Sequence, residues 1–221
     1  MNGRPLSINW IHDHVPAIME AWFPGENQGT AIADALFGDY NPGGKLPITV
    51  PKTVGQVPIN FPYMPASQSE STAKPTRARV RGPLYPFGYG LSYTNFSYSD
   101  LKITPESVAT GGTVKVSVNV KNAGSYKGDE VVQLYLNEEY TPVVTPEKVL
   151  RGFKRITLNP GESKQVSFEL THKDLAILNK NLNWQVVPGT FDVMIGSSSE
   201  DIRQKGTFQV TGSSGNKAFD F

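Results

Sequence analysis

Carboxylates within the first forty residues are the first side chains to test for chemistry, because two facing carboxylates can share nucleophilic and acid/base work. Glu20 lies in an apolar run, where an unpaired charge would be costly, so we expect it to have a partner rather than a substrate contact. Asp34 and Asp39 flank the end of a predicted helix and are expected to cap or pair there. Glu26 follows the turn Pro24-Gly25. The spacing of these residues indicates no carboxylate pair at catalytic distance.

The residues that bind metals in other proteins are scarce in this chain. His12 and His14 could both ligate a metal from a strand, but no third ligand is signalled, and we expect surface histidines. There is no cysteine, which excludes disulfides and thiolate metal sites. Arg4 ends a strand-like segment and could face a ligand, although an interface ion pair explains it equally well. We expect no metal and no cofactor.

Charge and hydropathy argue against two classes of partner. The 221 residues carry 21 basic and 20 acidic side chains, a net charge of +1, without a long run of one sign. Nucleic acid and anionic lipid are therefore not expected as partners. No apolar run approaches the roughly 18–20 residues that a membrane span needs. No apolar core of a signal peptide follows Met1-Asn2-Gly3-Arg4-Pro5.

The segment Pro83–Phe96 marks a change in the character of the chain. It contains five aromatic residues among two prolines and two glycines, a mixture that suits neither a regular helix nor a central strand. Twelve of the seventeen prolines lie before residue 90, and sustained period-2 alternation begins only after residue 97. We predict an interdomain connection over 83–96, with its rings buried between the two sides.

Residues 1–82 have the pattern of an α/β domain. The apolar run Ala17–Phe23 is typical of a strand buried on both faces of a parallel sheet. Asn27 can cap a helix over residues 28–37 that ends at Gly38 and carries an apolar stripe of Ala31, Ile32, Ala35 and Leu36. The sequence then predicts a turn, an edge strand and a long surface loop, at Asn41–Gly44, Lys45–Pro51 and 56–82.

These N-terminal elements are too few to close a hydrophobic core. A parallel strand needs neighbours on both sides, and one helix with one edge strand does not supply them. Residues 1–82 are therefore predicted to be a fraction of a larger domain. The exposed part of such a sheet should favour self-association.

Residues 97–212 have the pattern of an all-β module. Val114–Val120 alternates strictly, and turn residues recur at intervals of about ten positions. The further predicted strands are Val131–Leu136, Val149–Ile156, Lys164–Leu170, Asn183–Val187, Thr190–Ile195 and Lys205–Val210, with a helical turn in His172–Leu178. Seven or so short strands predict an immunoglobulin-like antiparallel β-sandwich. Residues 213–221 are predicted to form a tail.

Several motifs carry a resemblance to a known family. They are N-G-R-P-L at residues 2–6, W-F-P-G at 22–25, A-I-A-D-A-L-F-G-D-Y-N-P-G-G-K-L-P at 31–47, L-Y-P-F-G-Y-G-L-S-Y-T-N-F at 84–96, and G-D-E-V-V-Q-L-Y at 128–135. In this order they resemble the C-terminal part of glycoside hydrolase family 3 β-glucosidases. That resemblance implies the end of an α/β sandwich domain followed by a fibronectin type III-like domain.

The resemblance implies a retaining mechanism with two carboxylates, an Asp nucleophile in a preceding barrel and a Glu acid/base earlier in the α/β sandwich. Neither matches a position here, so no catalytic residue is assigned. Arg4, Trp22 and Glu26 are the weak substrate-binding candidates. The family commonly has Gly-x-Glu-Gly-Gly where this chain has Gly25-Glu26-Asn27-Gln28-Gly29, so the family's Glu aligns with Asn27.

Aromatic side chains could stack on sugar rings, but near Pro and Gly they more often anchor packing. The candidates are Trp10, Trp22, Tyr63, Tyr85 and Tyr89. The loop from Phe61 to Pro83 could form a binding surface, and it carries Arg77, Arg79 and Arg81.

Two functional hypotheses follow. In the first, the chain is the C-terminal portion of an exo-acting β-glucosidase. This portion would stabilise the catalytic domains, frame the sugar site and be inactive alone. Its partner would be a β-glucoside or oligosaccharide, only in the full enzyme, which the resemblance places in the periplasm or outside the cell. The alternative is a freestanding fibronectin-like module that binds a glycan or a protein, and residues 1–50 serve no obvious purpose in such a module.

Overall fold

The computed structural model describes residues 3–64, residue 80 and residues 82–212. Strands dominate this part of the chain, and its helices are few and short. None of the helices in the described ranges is long and apolar enough to cross a membrane. The predicted tail and Arg77, Arg79 and Arg81 lie outside the described residues.

The N-terminal region contains two α-helices and a 3₁₀ helix, which are α1 (Asn9–His14), α2 (Gln28–Phe37) and Val54–Gln56. The bounds predicted for α2 are confirmed, and Gly38 ends it in the left-handed conformation at φ 88°. The Asn27 side chain makes no capping hydrogen bond, so that part of the prediction is wrong. In the predicted apolar stripe only Ala35 is buried, because the described residues place no sheet against the other positions.

The strand predicted at Ala17–Phe23 is wrong. These residues have no regular structure, and most of them are exposed. Trp22 has φ 47°, which is incompatible with a strand. An apolar run becomes a buried strand only where other strands lie beside it, and the described part of the chain supplies none here.

The β-module is a sandwich of a three-stranded and a five-stranded sheet. Its larger strands are β1 (Phe96–Thr104), β3 (Val114–Asn122), β4 (Gly128–Glu138), β5 (Val149–Leu158), β6 (Ser163–Leu170), β9 (Gly189–Gly196) and β10 (Ile202–Thr211). The shorter elements are β2 (Ser107–Ala109), α3 (His172–Leu175), β7 (Ile177–Leu178) and β8 (Trp184–Gln185). The sheets have the orders β1-β3-β6 and β2-β10-β9-β4-β5, and β7 pairs with β8.

Most of the predicted strands are present and extend slightly further than expected. Val114, Val116, Val118 and Val120 of β3 are fully buried and pack in the core with Val132, Leu134 and Val193. The strand expected at Asn183–Val187 is confined to β8, and the helical turn expected at His172–Leu178 gives way to β7 after α3. The core is thus built by inward residues of both sheets, as alternation requires.

Strand β4 is buried on both faces. The high proportion of apolar residues is the one feature of its sequence that indicates this. Val132, Leu134 and Leu136 face the sandwich core. Gln133 and Tyr135, on the opposite face, are 3% and 0% exposed because residues from the N-terminal region cover them. The sandwich therefore carries a third layer on the outer face of the five-stranded sheet.

We call this third layer the strap and define it as residues 41–50 and 83–90. Its two halves pair in an irregular antiparallel way, with Leu46 N–H donating to Tyr89 O at 2.8 Å and Val50 N–H donating to Tyr85 O at 2.9 Å. The edge strand predicted at Lys45–Pro51 is thereby reduced to one isolated bridge, Val50 with Tyr85. The predicted turn Asn41–Gly44 is instead an irregular segment lying against β4, where a Cβ on Gly43 would come 2.7 Å from Asp129 Cβ.

Aromatic rings attach the strap to the sandwich. Phe87 stacks on Phe61 at 4.7 Å between ring centroids, and Phe61 meets the edge of Tyr135 at 5.6 Å. Not all rings of Pro83–Phe96 are enclosed in this way, since Tyr93 is 48% exposed. Its hydroxyl nevertheless donates to Ala35 O at 2.6 Å, which ties α2 to the connection.

Polar contacts complete the attachment. Lys45 Nζ lies 3.2 Å from Glu130 Oε1, with side chains 12% and 6% exposed, and donates to Gly90 O at 3.1 Å. Gln133 Nε2 donates to Gly88 O at 3.2 Å and to Ser197 O at 2.6 Å. The strap is therefore fixed by a buried ion pair as well as by ring packing.

The close approach of Gly88 to Gln133 can be tested by substitution. A Cβ on Gly88, which has φ +80°, would overlap the Gln133 side chain, whereas Gly161 has φ +77° and open space around it. Gly88→Ala should lower the free energy of unfolding by about 3 kcal/mol, since it strains the backbone and displaces buried hydrogen bonds. Gly161→Ala should cost about 1 kcal/mol. Urea titration measures both, and equal losses would contradict the packing argument.

The buried ion pair gives a second test. Lys45→Met should cost about 3–5 kcal/mol of unfolding free energy, because it leaves Glu130 charged without its partner. Burial already raises the pKa of Glu130 against the opposing effect of Lys45, so the loss should be larger at pH 8 than at pH 5, where the carboxyl takes up a proton more readily. Lys148→Met is the control. Lys148 Nζ lies 3.4 Å from Oε1 of Glu200, whose side chain is 52% exposed. This substitution should lower the free energy of unfolding by less than about 1 kcal/mol, because an exposed ion pair contributes little.

Candidate functional site

The substrate-binding candidates lie where two N-terminal segments cross. A Cβ on Gly3 would overlap the Phe23 ring, so the backbone around Arg4 passes directly over that ring. Arg4 and Trp22 are each one residue along the chain from this contact. Glu26 is exposed in the turn before α2, outside the contact itself. The crossing is thus next to two of the three candidates in sequence.

Glu20 has a local structural role in this region. Its Oε1 accepts a hydrogen bond from the Trp22 backbone N–H at 3.0 Å. The partner expected from the sequence is therefore present, but it belongs to a bend in the chain rather than to a strand end. The bond helps to hold Trp22 at its positive φ. Asp34 is half-buried on α2, and Asp39 is exposed after it.

His12 and His14 lie on α1 and are exposed. His12 Nδ1 and Tyr85 Oη are 2.9 Å apart, while His14 stacks on Trp10 at 4.6 Å. Within the described ranges, no group of three or more His, Cys, Asp or Glu residues could hold a metal ion. Both histidines are exposed, as expected of surface histidines, and the alternative of two ligands along a strand does not apply because a helix carries them.

The tyrosines proposed for sugar stacking are engaged with other protein groups. Tyr63 Oη lies 3.2 Å from Thr49 Oγ1, and burial raises the pKa of Tyr63. Tyr85 stacks on Tyr89 at 5.1 Å. These contacts favour packing over ligand stacking at the three positions.

The N-terminal region exposes large apolar side chains that a folded domain normally covers. Among them, Trp10, Phe23, Leu36 and Phe37 are 68%, 81%, 65% and 84% exposed. Side chains of this size account for most of the binding free energy of protein interfaces. Chemically, the region is suited to docking against protein.

A cavity of about 560 Å³ lies elsewhere, at the end of β4, and is lined by residues 137–147. It contains none of the residues that the sequence singled out. Beside it, Glu138 is 8% exposed, and both of its carboxylate oxygens are buried without a hydrogen-bond partner among the described residues. Burial raises the pKa of Glu138 to about 7. The sequence could have revealed the burial of Glu138, because this residue continues the alternating inward series of Val132, Leu134 and Leu136.

Comparisons with known proteins agree along the chain. Residues 1–93 match the glycosyl hydrolase family 3 C-terminal domain, and residues 130–199 match a fibronectin type III-like domain. A beta-xylosidase from Formosa agariphila is 48% identical over 200 residues, which are 90% of this chain and 28% of that protein. A periplasmic beta-glucosidase from Salmonella typhimurium is 43% identical over 216 residues, 95% of this chain and 28% of that protein.

A solved structure gives the same result. The crystal structure of a beta-glucosidase from Listeria innocua in complex with glucose superposes with a TM-score of 0.88 at 34% identity, covering 96% of this chain and 30% of that one. The chain thus spans less than a third of the length of these relatives. The two domain matches, the identities and the superposition together show that the chain belongs to glycoside hydrolase family 3, and that it matches that family's C-terminal domain and a fibronectin type III-like domain.

Proposed function

We propose that this chain acts as the C-terminal portion of a retaining, exo-acting β-glucosidase that hydrolyses terminal non-reducing β-D-glucosyl residues. The exposed apolar side chains around α2 are the observation that carries the proposal. They have the size and exposure of an interface, and the relatives contain additional protein that could cover them. Exposed apolar side chains of this size mark a surface that binds another protein surface.

In this proposal the chain consists of two bodies and a connection. Residues 1–82 are the end of an α/β sandwich domain, 83–96 are the interdomain connection, 97–212 are the complete fibronectin type III-like sandwich, and 213–221 are a tail. The family matches at residues 1–93 and 130–199 support the division. The strap then comes from the first body and the connection, and its ring packing and ion pair join them to the sandwich.

The proposed contribution to catalysis is indirect. The nucleophile and the acid/base would come from the remainder of the enzyme, and this chain would frame the sugar site with Arg4, Trp22 and Glu26. The strap supports that role because it anchors the N-terminal region to a rigid sandwich. We also propose that the enzyme is periplasmic or secreted, which the name of the Salmonella typhimurium relative supports.

The first test is enzymatic. The isolated chain should hydrolyse neither an aryl β-glucoside nor an aryl β-xyloside. A chimaera in which this chain replaces the matching segment of the Salmonella typhimurium enzyme should hydrolyse the glucoside. Turnover by the purified isolated chain, absent from a mock purification, would contradict the proposal. So would a folded chimaera without activity.

The second test addresses the exposed apolar side chains. The isolated chain should self-associate through them, and the double substitution Phe23→Ser with Phe37→Ser should lower its weight-average mass in analytical ultracentrifugation. Phe153→Ser is the matched control, because Phe153 is 65% exposed on β5, far in sequence from the N-terminal region. An equal decrease with the control would contradict the assignment of the interface to α2 and its surroundings.

A further inference from the structure

The core-facing side of β4 begins and ends with an acid. Glu130, Val132, Leu134, Leu136 and Glu138 alternate with outward residues and are all buried. Glu130 is neutralised by Lys45 at 3.2 Å. Glu138 has no such partner in the described part of the chain, although it is buried to nearly the same extent. The two acids are therefore similarly buried, and they differ in whether a cation lies beside the carboxylate.

No cation pairs with Glu138 among the described residues, and Arg151, which is half-buried on the neighbouring strand β5, has Asp174 as its charged neighbour. Phe191 lies opposite Glu138 on β9, and a Cβ on Gly189 would come 3.4 Å from Glu138 Oε1. The charged groups near it in sequence and register are themselves acidic, namely Glu139 and Glu147 of the lining segment and Asp192 of β9. The nearest basic residue along the segment, Lys148, pairs with Glu200 at 3.4 Å. Only burial shifts the pKa of Glu138.

The segment 139–147 follows Glu138, lines the cavity of about 560 Å³ with it, and makes backbone hydrogen bonds to the rest of the chain at its two ends. Glu139 N–H donates to Thr190 O at 3.1 Å, and Glu147 N–H donates to Tyr63 O at 3.0 Å. Between them Tyr140 and Val144 are 83% and 72% exposed, while Thr141, Val143, Thr145 and Pro146 are half-buried. The side-chain hydrogen bonds of Thr141, to Val143 O and to Thr145, stay inside the segment and do not tie its middle to the sandwich.

We propose that segment 139–147 is a proton-controlled flap, closed over Glu138 while its carboxyl is protonated and displaced when the carboxyl ionises. An ionised carboxylate without a partner needs water, and movement of the flap admits water through the adjoining cavity. The closed form also leaves the Tyr63 contact intact. Since Tyr63 lies in the chain between the two halves of the strap, the flap couples protonation to the N-terminal region.

The pH dependence has a definite sign. The pKa of Glu138 in the closed form, about 7, lies above the ordinary value for a glutamate. The closed form therefore favours the proton, and its stabilisation is complete at low pH and lost as pH rises towards and through 7. Glu138→Gln should remove this dependence, because an amide fills the same space without ionising.

The test uses the full chain and nuclear magnetic resonance. In the unsubstituted protein the amide signals of Tyr140, Thr141, Val143, Val144 and Thr145 should shift with a midpoint near pH 7. They should remain unshifted in Glu138→Gln and titrate normally in the control Glu139→Gln. The melting temperature of Glu138→Gln should match that of the unsubstituted protein at pH 5 and exceed it by several degrees at pH 8.5.

Two results would overturn the proposal. One is a midpoint near pH 7 for the segment that persists in Glu138→Gln. The other is an unsubstituted protein whose segment signals do not change between pH 5 and pH 8.5. The second result does not require any variant to fold. Both differ from the outcomes that test the proposed enzymatic role, because no substrate or catalytic domain is involved.

Discussion

The attachment of the strap to β4, over Gln133 and Tyr135 of the outer face and at Glu130 of the inward side, is the constraint on which the rest of the described structure depends. The buried pair of Lys45 and Glu130 and the stack of Phe61, Phe87 and Tyr135 join a region of little regular structure to a well-packed sandwich. Among the described residues of the N-terminal region, the buried apolar side chains are few and include Ala35 and Val50. Without the attachment, little else would hold this region in place. The sandwich therefore serves as the support for a region that cannot fold a core by itself.

The same strand shows how one pattern leads to two chemical outcomes. Alternation places an acid at each end of the inward side of β4, and the strap supplies a cation to one of them only. At Glu130 the ion pair holds two parts of the chain together. At Glu138 the absence of a partner in the described residues makes burial depend on a proton. A stability contact and a proposed switch thus arise from the same arrangement.

Two positions of the strap require glycine because the backbone packs closely against β4. Gly43 and Gly88 lie against Asp129 and Gln133, where a Cβ would not fit. The wild-type backbone can therefore approach β4 closely enough for Gln133 to donate to Gly88 O at 3.2 Å. Close approach of this kind converts an irregular segment into an ordered layer without helix or strand hydrogen bonds.

The sequence by itself determined most strands of the sandwich (β1 and β2 excepted), the bounds of α2 and the family, because alternation, helix-stop glycines and motif order are local properties. It did not determine the fate of Ala17–Phe23 or Lys45–Pro51, which depend on whether other strands lie beside them. It also gave no sign that Lys45 reaches Glu130, a contact between residues far apart in the chain. Only the tertiary structure decides which buried acid finds a cation, because partnership is a matter of distance in space.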